Sequence, residues 1–136
     1  MLNLQLIPDE FKKLDRFIAW KQLGKDGKQR KTPISTEGFP ISYRDPTAVM
    51  SFPSIQTRCN QSSDTGCGIT LLDGLQLEVD SKRGFLWCAD FDGFRSLNGK
   101  LCDDFVMQFL KATQTYVEIS PSGTGFKCFF ISDREP

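Results

Sequence analysis

The stretch that decides the fold is FLWCADFD, residues 85–92, read together with TYVEISPSGTGFKCFF, residues 115–130. Apolar and aromatic residues fill the first stretch up to two carboxylates, which predicts a central buried strand that ends in acidic residues. The second stretch predicts a strand, a Ser/Gly-rich loop at residues 120–125 and another strand, because Ser, Pro and Gly favour turns. These segments place an acidic strand end and a small-residue loop in one sheet.

Asp90 and Asp92 are candidate metal ligands. Residues two apart on a strand point to the same face, with Cα atoms roughly 6.5–7 Å apart, so both carboxylates can reach one divalent cation. The alternative is a pair of solvated acids at a strand end, one of which caps a turn with Gly93. A phosphate can approach the Ser-Pro-Ser-Gly-x-Gly loop closely, and Lys127 adds a positive charge beyond it. Metal ligands beside a phosphate cradle indicate phosphoryl or nucleotidyl transfer, whereas an ordinary hairpin connection is the alternative for the loop.

Composition indicates one soluble domain over residues 1–136. Lys and Arg number 17, as do Asp and Glu, so a nucleic-acid site has to be a local patch. One basic segment fits, with a single acid, Asp26, among Lys21, Lys25, Lys28, Arg30 and Lys31. It is expected to form a hairpin that contacts phosphate or template, or else a solvated sheet edge.

The five cysteines form no C-x-x-C pair, and the chain contains no histidine. We therefore expect reduced thiols in a cytoplasmic protein and no Cys/His zinc site. No apolar run is long enough to span a membrane, so no membrane partner is expected. Trp20, Trp87 and Tyr116 can stack a base, although packing in the core is the favoured interpretation.

The remaining pattern predicts an α+β fold, with an antiparallel-rich sheet and helices covering one face. Residues 17–23 read either as the continuation of a helix that starts near Pro8 or as the first strand of a hairpin. Residues 101–112 carry apolar side chains at helical spacing and predict a core-facing helix without chemistry of its own.

Three segments carry a family resemblance. They are the Asp-x-Asp of residues 89–92, the loop segment of residues 116–125, and an earlier set comprising Trp20, Gly27-Lys28, Lys31-Thr32-Pro33-Ile34, Ser42, Asp45-Pro46-Thr47 and Gly66-Cys67-Gly68-Ile69. In this order they resemble the primase-polymerase branch of the archaeo-eukaryotic primase superfamily, found in phage, plasmid and mobile-element replication proteins. The resemblance spans about residues 14–130 and implies an RRM-like core.

The resemblance implies metal-dependent, template-directed nucleotidyl transfer by a DNA primase or polymerase. Asp90 and Asp92 would be the catalytic residues and would hold Mg²⁺ or Mn²⁺. The triphosphate would contact the loop and the residue after it, through Ser120, Ser122, Gly123, Gly125 and Lys127. Lys31 matches the family's Lys-x-Pro segment, and Lys28 and Arg30 beside it are further candidate contacts. The implied partners are a dNTP or NTP, single-stranded DNA template or primer-template, and a fused or separate replicative helicase.

The chain departs from the family at two points. The family usually has histidine two places after the second glycine, where this chain has Lys127, a substitution that keeps a phosphate-binding charge but puts catalysis in doubt. The family's third metal carboxylate normally lies on a strand beyond the loop. Glu118 is the nearest substitute in this sequence, Asp133 is another, and a core incomplete at its C-terminus is the remaining alternative.

Two other functions fit the same residues. One is a catalytically degenerate primase-like module that binds nucleotide, single-stranded DNA or an origin within a replication initiator. The other is a small RRM-like nucleic-acid-binding domain unrelated to polymerases. Dependence on a divalent metal distinguishes the enzyme from both.

Overall fold

The chain divides into two compact units, an N-terminal unit, Met1–Leu72, and a C-terminal unit, Asp73–Pro136. The computed structural model describes residues 4–24, 30–72, 74–96, 98, 100 and 103–136. Each unit contains its own sheet and is described by itself. The prediction of a single domain over residues 1–136 stays a prediction.

The N-terminal unit is built around one central strand. Strand β1 (Phe17–Leu23) pairs antiparallel with each of the other strands of its four-stranded sheet, namely β2 (Arg30–Ile34), β3 (Val49–Met50) and β4 (Thr65–Ile69). The hairpin interpretation of residues 17–23 is therefore correct, and the helix that starts after Pro8 is only α1 (Asp9–Lys12). The turn predicted at Asp26-Gly27 lies outside the described residues.

One face of this sheet forms the core of the unit with a single longer helix. Helix α2 (Phe52–Gln61) follows two 3₁₀ turns, Leu4–Leu6 and Pro46–Ala48. Its Ile55 is fully buried, as are Phe17 and Ala19 of β1, and the rings of Phe17 and Phe52 lie 5.4 Å apart. Burial of these apolar side chains stabilises the unit.

The C-terminal unit contains the acidic strand and the Ser/Gly loop. Its four strands, β5 (Gln76–Val79), β6 (Lys82–Phe91), β7 (Val117–Ile119) and β8 (Phe126–Ser132), form an antiparallel sheet in the order β5-β6-β8-β7. Strand β6 is the longest strand and β8 is its central partner. The two ends that matter for the site, the C-terminus of β6 and the loop between β7 and β8, therefore lie at the same end of the sheet, because β6 and β8 run in opposite directions.

An aromatic cluster joins helix α3 (Asp104–Thr113) to this sheet. The ring of Phe91 lies 5.3 Å from those of Phe109 and Phe126, and Phe109 lies 6.2 Å from Phe130. Helix α3 begins where Asp103 accepts a hydrogen bond from the Val106 N–H, 3.1 Å away. The helix thus covers the face that Phe91 shares with Phe126, and leaves Asp90 on the other face.

The α+β class with antiparallel sheets and few helices is confirmed, although the described residues form two sheets where one was expected. The helix predicted over residues 101–112 runs from Asp104 to Thr113, with Leu101 and Cys102 outside the described residues. None of the helices in the described ranges has the length and apolar character that crossing a membrane requires.

Candidate functional site

The candidate site begins with the two carboxylates at the end of β6. Asp90 is the penultimate residue of the strand, and Asp92 follows its last residue, Phe91. Both aspartates are exposed, with 48% of the Asp90 side chain accessible to solvent. The strand end thus presents two carboxyl groups to water, where a soluble ligand can reach them.

A row of charged side chains crosses the sheet at Asp90. Lys127 of β8 pairs directly with Asp90 of β6 on one side and with Glu118 of β7 on the other. Directly opposite residues of antiparallel strands point to the same face, so the lysine lies between two acids. Its Nζ forms an ion pair and hydrogen bond with Oδ2 of Asp90. The Tyr116 hydroxyl donates to Glu118 Oε1 at 3.0 Å, so Tyr116 and Glu118 share a face as expected.

The Ser/Gly loop is closed by its own hydrogen bonds. Ser120 N–H donates to the Gly125 carbonyl at 2.8 Å, and Gly123 N–H donates to the Ser120 carbonyl at 2.8 Å. The buried Ser120 hydroxyl accepts from Gly125 N–H at 3.0 Å and contacts the Ser122 hydroxyl at 2.8 Å. The N–H groups of Gly123 and Gly125 are therefore engaged inside the loop. Ser122 is exposed, and its hydroxyl also lies 3.0 Å from the Thr124 hydroxyl.

Gly125 brings this loop directly against the end of β6. A methyl group placed on Gly125 would lie 2.5 Å from the carbonyl oxygen of Phe91 and 3.1 Å from Oδ1 of Asp92. Only a residue without a side chain permits such a close approach of two backbones. The Asp92 carboxylate and the Ser/Gly loop are therefore direct neighbours.

Arg95 is a site residue that the sequence reasoning missed. Its backbone N–H donates to the Thr124 carbonyl at 2.9 Å, and its guanidinium Nη1 donates to the Gly123 carbonyl at 2.6 Å. The sequence offered only one signal, a cation three residues beyond the Asp-x-Asp segment. The long-range pairing with the loop, which gives that cation its position, cannot be read from local sequence.

Cys88 lies two residues before Asp90 on the same strand and face. The pKa of its thiol is raised to about 11, chiefly by burial; the Lys127 ammonium opposes this rise, and the neighbouring Asp90 and Glu118 carboxylates add to it. The described free cysteines are Cys59, Cys67, Cys88 and Cys128. At neutral pH Cys88 is therefore a protonated thiol and a poor metal ligand.

The donor set suits a magnesium ion that arrives with a nucleotide. Within the described ranges there is no cluster of three or more His, Cys, Asp or Glu side chains placed to hold a metal. Mg²⁺ is commonly held by one or two carboxylates together with substrate phosphates, and Asp90 and Asp92 supply the two carboxylates. Oδ2 of Asp90 already contacts the Lys127 ammonium, which a metal ion at that oxygen would displace.

The basic segment belongs to the N-terminal unit. Arg30 and Lys31 are exposed on β2, and Nζ of Lys31 lies 5.3 Å from the centre of the Trp20 ring. Lys21 pairs with Asp64 at 3.0 Å. Lys28 lies outside the described residues. Lys31 thus has a cation–π contact with Trp20, and its proposed role toward nucleic acid stays a prediction.

The three aromatic residues considered for base stacking are half-buried, and each has a polar contact. Trp20 Nε1 donates to the Cys67 carbonyl at 3.0 Å and Trp87 Nε1 to the Arg134 carbonyl at 3.0 Å. The Trp20 ring also lies on Gly66, where an added methyl group would be 2.1 Å from Cζ2.

A scan of protein-family models finds none that matches this chain, and a search of curated proteins likewise finds no match. The resemblance to primase-polymerases therefore stays a prediction, and so do the site assignments that depend on it.

Proposed function

We propose that the C-terminal unit binds a nucleoside triphosphate together with Mg²⁺ or Mn²⁺ and transfers its nucleotidyl group, as a DNA primase or polymerase of the primase-polymerase type. The observation that carries this proposal is the approach of Gly125 to Phe91 and Asp92, which joins the loop to the acidic strand end. A site for phosphate next to metal-binding carboxylates is the minimum that nucleotidyl transfer requires.

Each group of the site has a role in this proposal. Asp90 and Asp92 hold the divalent ion, which supplies neutralisation of phosphate charge and activation of the attacking hydroxyl. The exposed Ser122 hydroxyl contacts a phosphate oxygen, as does Lys127 once it leaves Asp90. Ser120, Gly123 and Gly125 fix the shape of the loop through the hydrogen bonds described above. Glu118, on the other side of Lys127, is the candidate third carboxylate.

The reaction transfers a nucleotidyl group to a hydroxyl. The 3′-hydroxyl of a primer or of an initiating nucleotide forms a bond to the α-phosphorus. The bond from that phosphorus to the β-phosphate oxygen breaks, pyrophosphate leaves, and the hydroxyl proton passes to solvent. Single-stranded DNA or a primer-template is the partner, with Lys28, Arg30 and Lys31 as its proposed contacts. A replicative helicase, fused or separate, and a cytoplasmic location belong to the same proposal.

One observation favours the second candidate, a primase-like module that binds nucleotide without catalysis. The ion pair between Lys127 and Asp90 neutralises one of the two carboxylates that the metal needs. If the lysine stays there when nucleotide binds, Asp92 alone holds the ion and transfer is lost.

Primer extension with Mn²⁺ and dNTPs tests the proposal. The double substitution Asp90→Asn with Asp92→Asn keeps both side-chain volumes and removes both charges, so extension should fall by at least 10³-fold, on the order expected when metal-ion charge stabilisation of several kcal/mol is lost. Glu78→Gln with Glu135→Gln, two exposed acids of the same unit, is the matched control and should leave extension unchanged. Extension by the double aspartate variant at the wild-type rate would refute the metal assignment, and nucleotide binding without extension would favour the second candidate.

A further inference from the structure

Arg95 is held at the Ser/Gly loop by two contacts of different kinds. The backbone N–H bonds to the Thr124 carbonyl and the guanidinium Nη1 bonds to the Gly123 carbonyl, at 2.9 and 2.6 Å. The first contact does not involve the side chain, so the peptide backbone alone places residue 95 beside the loop. The second contact then holds the guanidinium at the Gly123 carbonyl of the loop.

The guanidinium has more hydrogen-bonding capacity than the protein uses. It carries five N–H donors, and the Gly123 carbonyl is its one acceptor among the described residues. The ion pairs of those residues join Lys12 to Asp9, Lys21 to Asp64 and Lys127 to Asp90, so Arg95 has no carboxylate partner there. A half-buried guanidinium with no carboxylate partner among the described residues can bind an anionic ligand, because its charge and its remaining N–H donors suit one.

Arg95 differs from Lys127 in this respect. The lysine is already paired with the Asp90 carboxylate, whereas the side-chain contact that the described residues give the arginine is to a neutral carbonyl. A planar guanidinium can also bind two phosphate oxygens at once, which an ammonium cannot do with fixed geometry. Of Lys127 and Arg95, the arginine is therefore the one that can bind phosphate before any rearrangement.

We propose that Arg95 binds the β- and γ-phosphates of the nucleoside triphosphate and thereby makes the site specific for the triphosphate over the monophosphate. This inference rests on the proposed function, since it assigns a residue to the same nucleotide site. It adds a specificity-determining contact outside the acidic strand and outside the residues of the loop itself. The contact would thereby distinguish ligands by the number of phosphate groups that they carry.

Isothermal titration of the full chain tests this proposal with Mg·dATP, dAMP and inorganic tripolyphosphate as probes. Arg95→Gln should weaken Mg·dATP and tripolyphosphate binding about 10- to 100-fold, the range expected for charged hydrogen bonds. Binding of dAMP should change less than about twofold, since a ligand without β- and γ-phosphates makes no contact with this residue. Arg95→Lys keeps the charge without the planar fork and should give an intermediate loss.

Controls separate this inference from the proposed function. Lys111→Gln removes an exposed positive charge on α3 and should leave all three affinities unchanged, which excludes a general effect of net charge. Equal weakening of dATP and dAMP by Arg95→Gln would overturn the inference and make Arg95 a positioning residue for the loop. Weaker binding of single-stranded DNA with unchanged dATP affinity would overturn it in favour of a nucleic-acid phosphate. Failure of the wild-type chain to bind dATP at all would instead refute the proposed function.

Discussion

At the scale of single residues, Gly125 has a structural reason to be glycine that does not involve phosphate. The sequence pattern predicted that small residues of the loop leave room for a ligand. In the structure, the space beside Gly125 is filled by the Phe91 carbonyl and the Asp92 carboxylate. The glycine therefore brings the loop and the strand end together, which is a packing role that creates the site.

Gly125→Ala should destabilise the C-terminal unit and weaken nucleotide binding. The added methyl group meets backbone atoms that cannot rotate away, so overpacking should cost about 1–3 kcal/mol of unfolding free energy. Gly123→Ala is the control, because nothing lies within 4 Å of its added methyl group. At φ +76° it should cost about 1–2 kcal/mol in backbone strain while leaving the gap between loop and strand unchanged. Hydrogen exchange of the β6 and β8 amides measures both losses, and equal nucleotide affinities for the two variants would contradict the packing role.

Lys127 was predicted to contact phosphate, and its ion pair with Asp90 leads us to expect a second effect, on the affinity for metal. Lys127→Gln removes a positive charge next to a metal ligand, so Mn²⁺ affinity without nucleotide should rise about two- to fivefold, as expected for a half-exposed pair. Affinity for dATP should fall in the same variant, because a phosphate contact is lost. Lys111→Gln provides the charge-matched control. Paramagnetic relaxation by Mn²⁺ measures the first effect, and an unchanged or lower Mn²⁺ affinity would show that Lys127 does not compete with the metal.

At the scale of elements, the strands were more predictable than their ends. The apolar run before Asp90 predicted a buried strand over residues 85–92, and β6 runs from Lys82 to Phe91. Residues 17–23 fit both a helix and a strand, and the pairing of β1 with β2, β3 and β4 decides between them. That pairing cannot be read from local sequence, because β3 and β4 lie far from β1 along the chain.

The β5–β6 hairpin contains a feature that sequence alone did not reveal. Val79 pairs with Lys82, so Asp80 and Ser81 form a two-residue turn with φ of 49° and 63°. Both angles are those of the turn type that matches strand twist, for which glycine is favoured at the second position.

Ser81→Gly should therefore stabilise the hairpin by about 0.5–1 kcal/mol, since removal of left-handed strain exceeds the added chain entropy of glycine. Ser54→Gly, the same change inside α2, should destabilise its own unit by about 0.5–1 kcal/mol. Hydrogen exchange of the β5 and β6 amides measures the effect of Ser81→Gly. Hydrogen exchange of the α2 amides measures the effect of Ser54→Gly. Faster exchange in β5 and β6 of the Ser81→Gly variant would contradict the turn assignment.

At the scale of the whole molecule, composition and periodicity predicted the α+β class but not the number of sheets. Each sheet packs against apolar side chains of its own unit. These include Phe17 and Ile55 in the N-terminal unit and Phe91 and Phe126 in the C-terminal unit. Periodicity identifies buried faces without saying which of them pack together, so two sheets look like one from the sequence. For the same reason the sequence did not identify Arg95, because its position depends on hydrogen bonds to Gly123 and Thr124, which lie 28 and 29 positions later in the chain.

In the proposed function, metal and nucleotide bind together at the end of β6. The most direct test is a titration of the full chain with dATP, with and without Mn²⁺, for the wild type and for Asp90→Ala. We expect wild-type binding to strengthen at least about tenfold with Mn²⁺ and Asp90→Ala to lose that gain, because the carboxylate is the proposed metal ligand. Binding of dATP that is independent of both Mn²⁺ and Asp90 would contradict the proposed function.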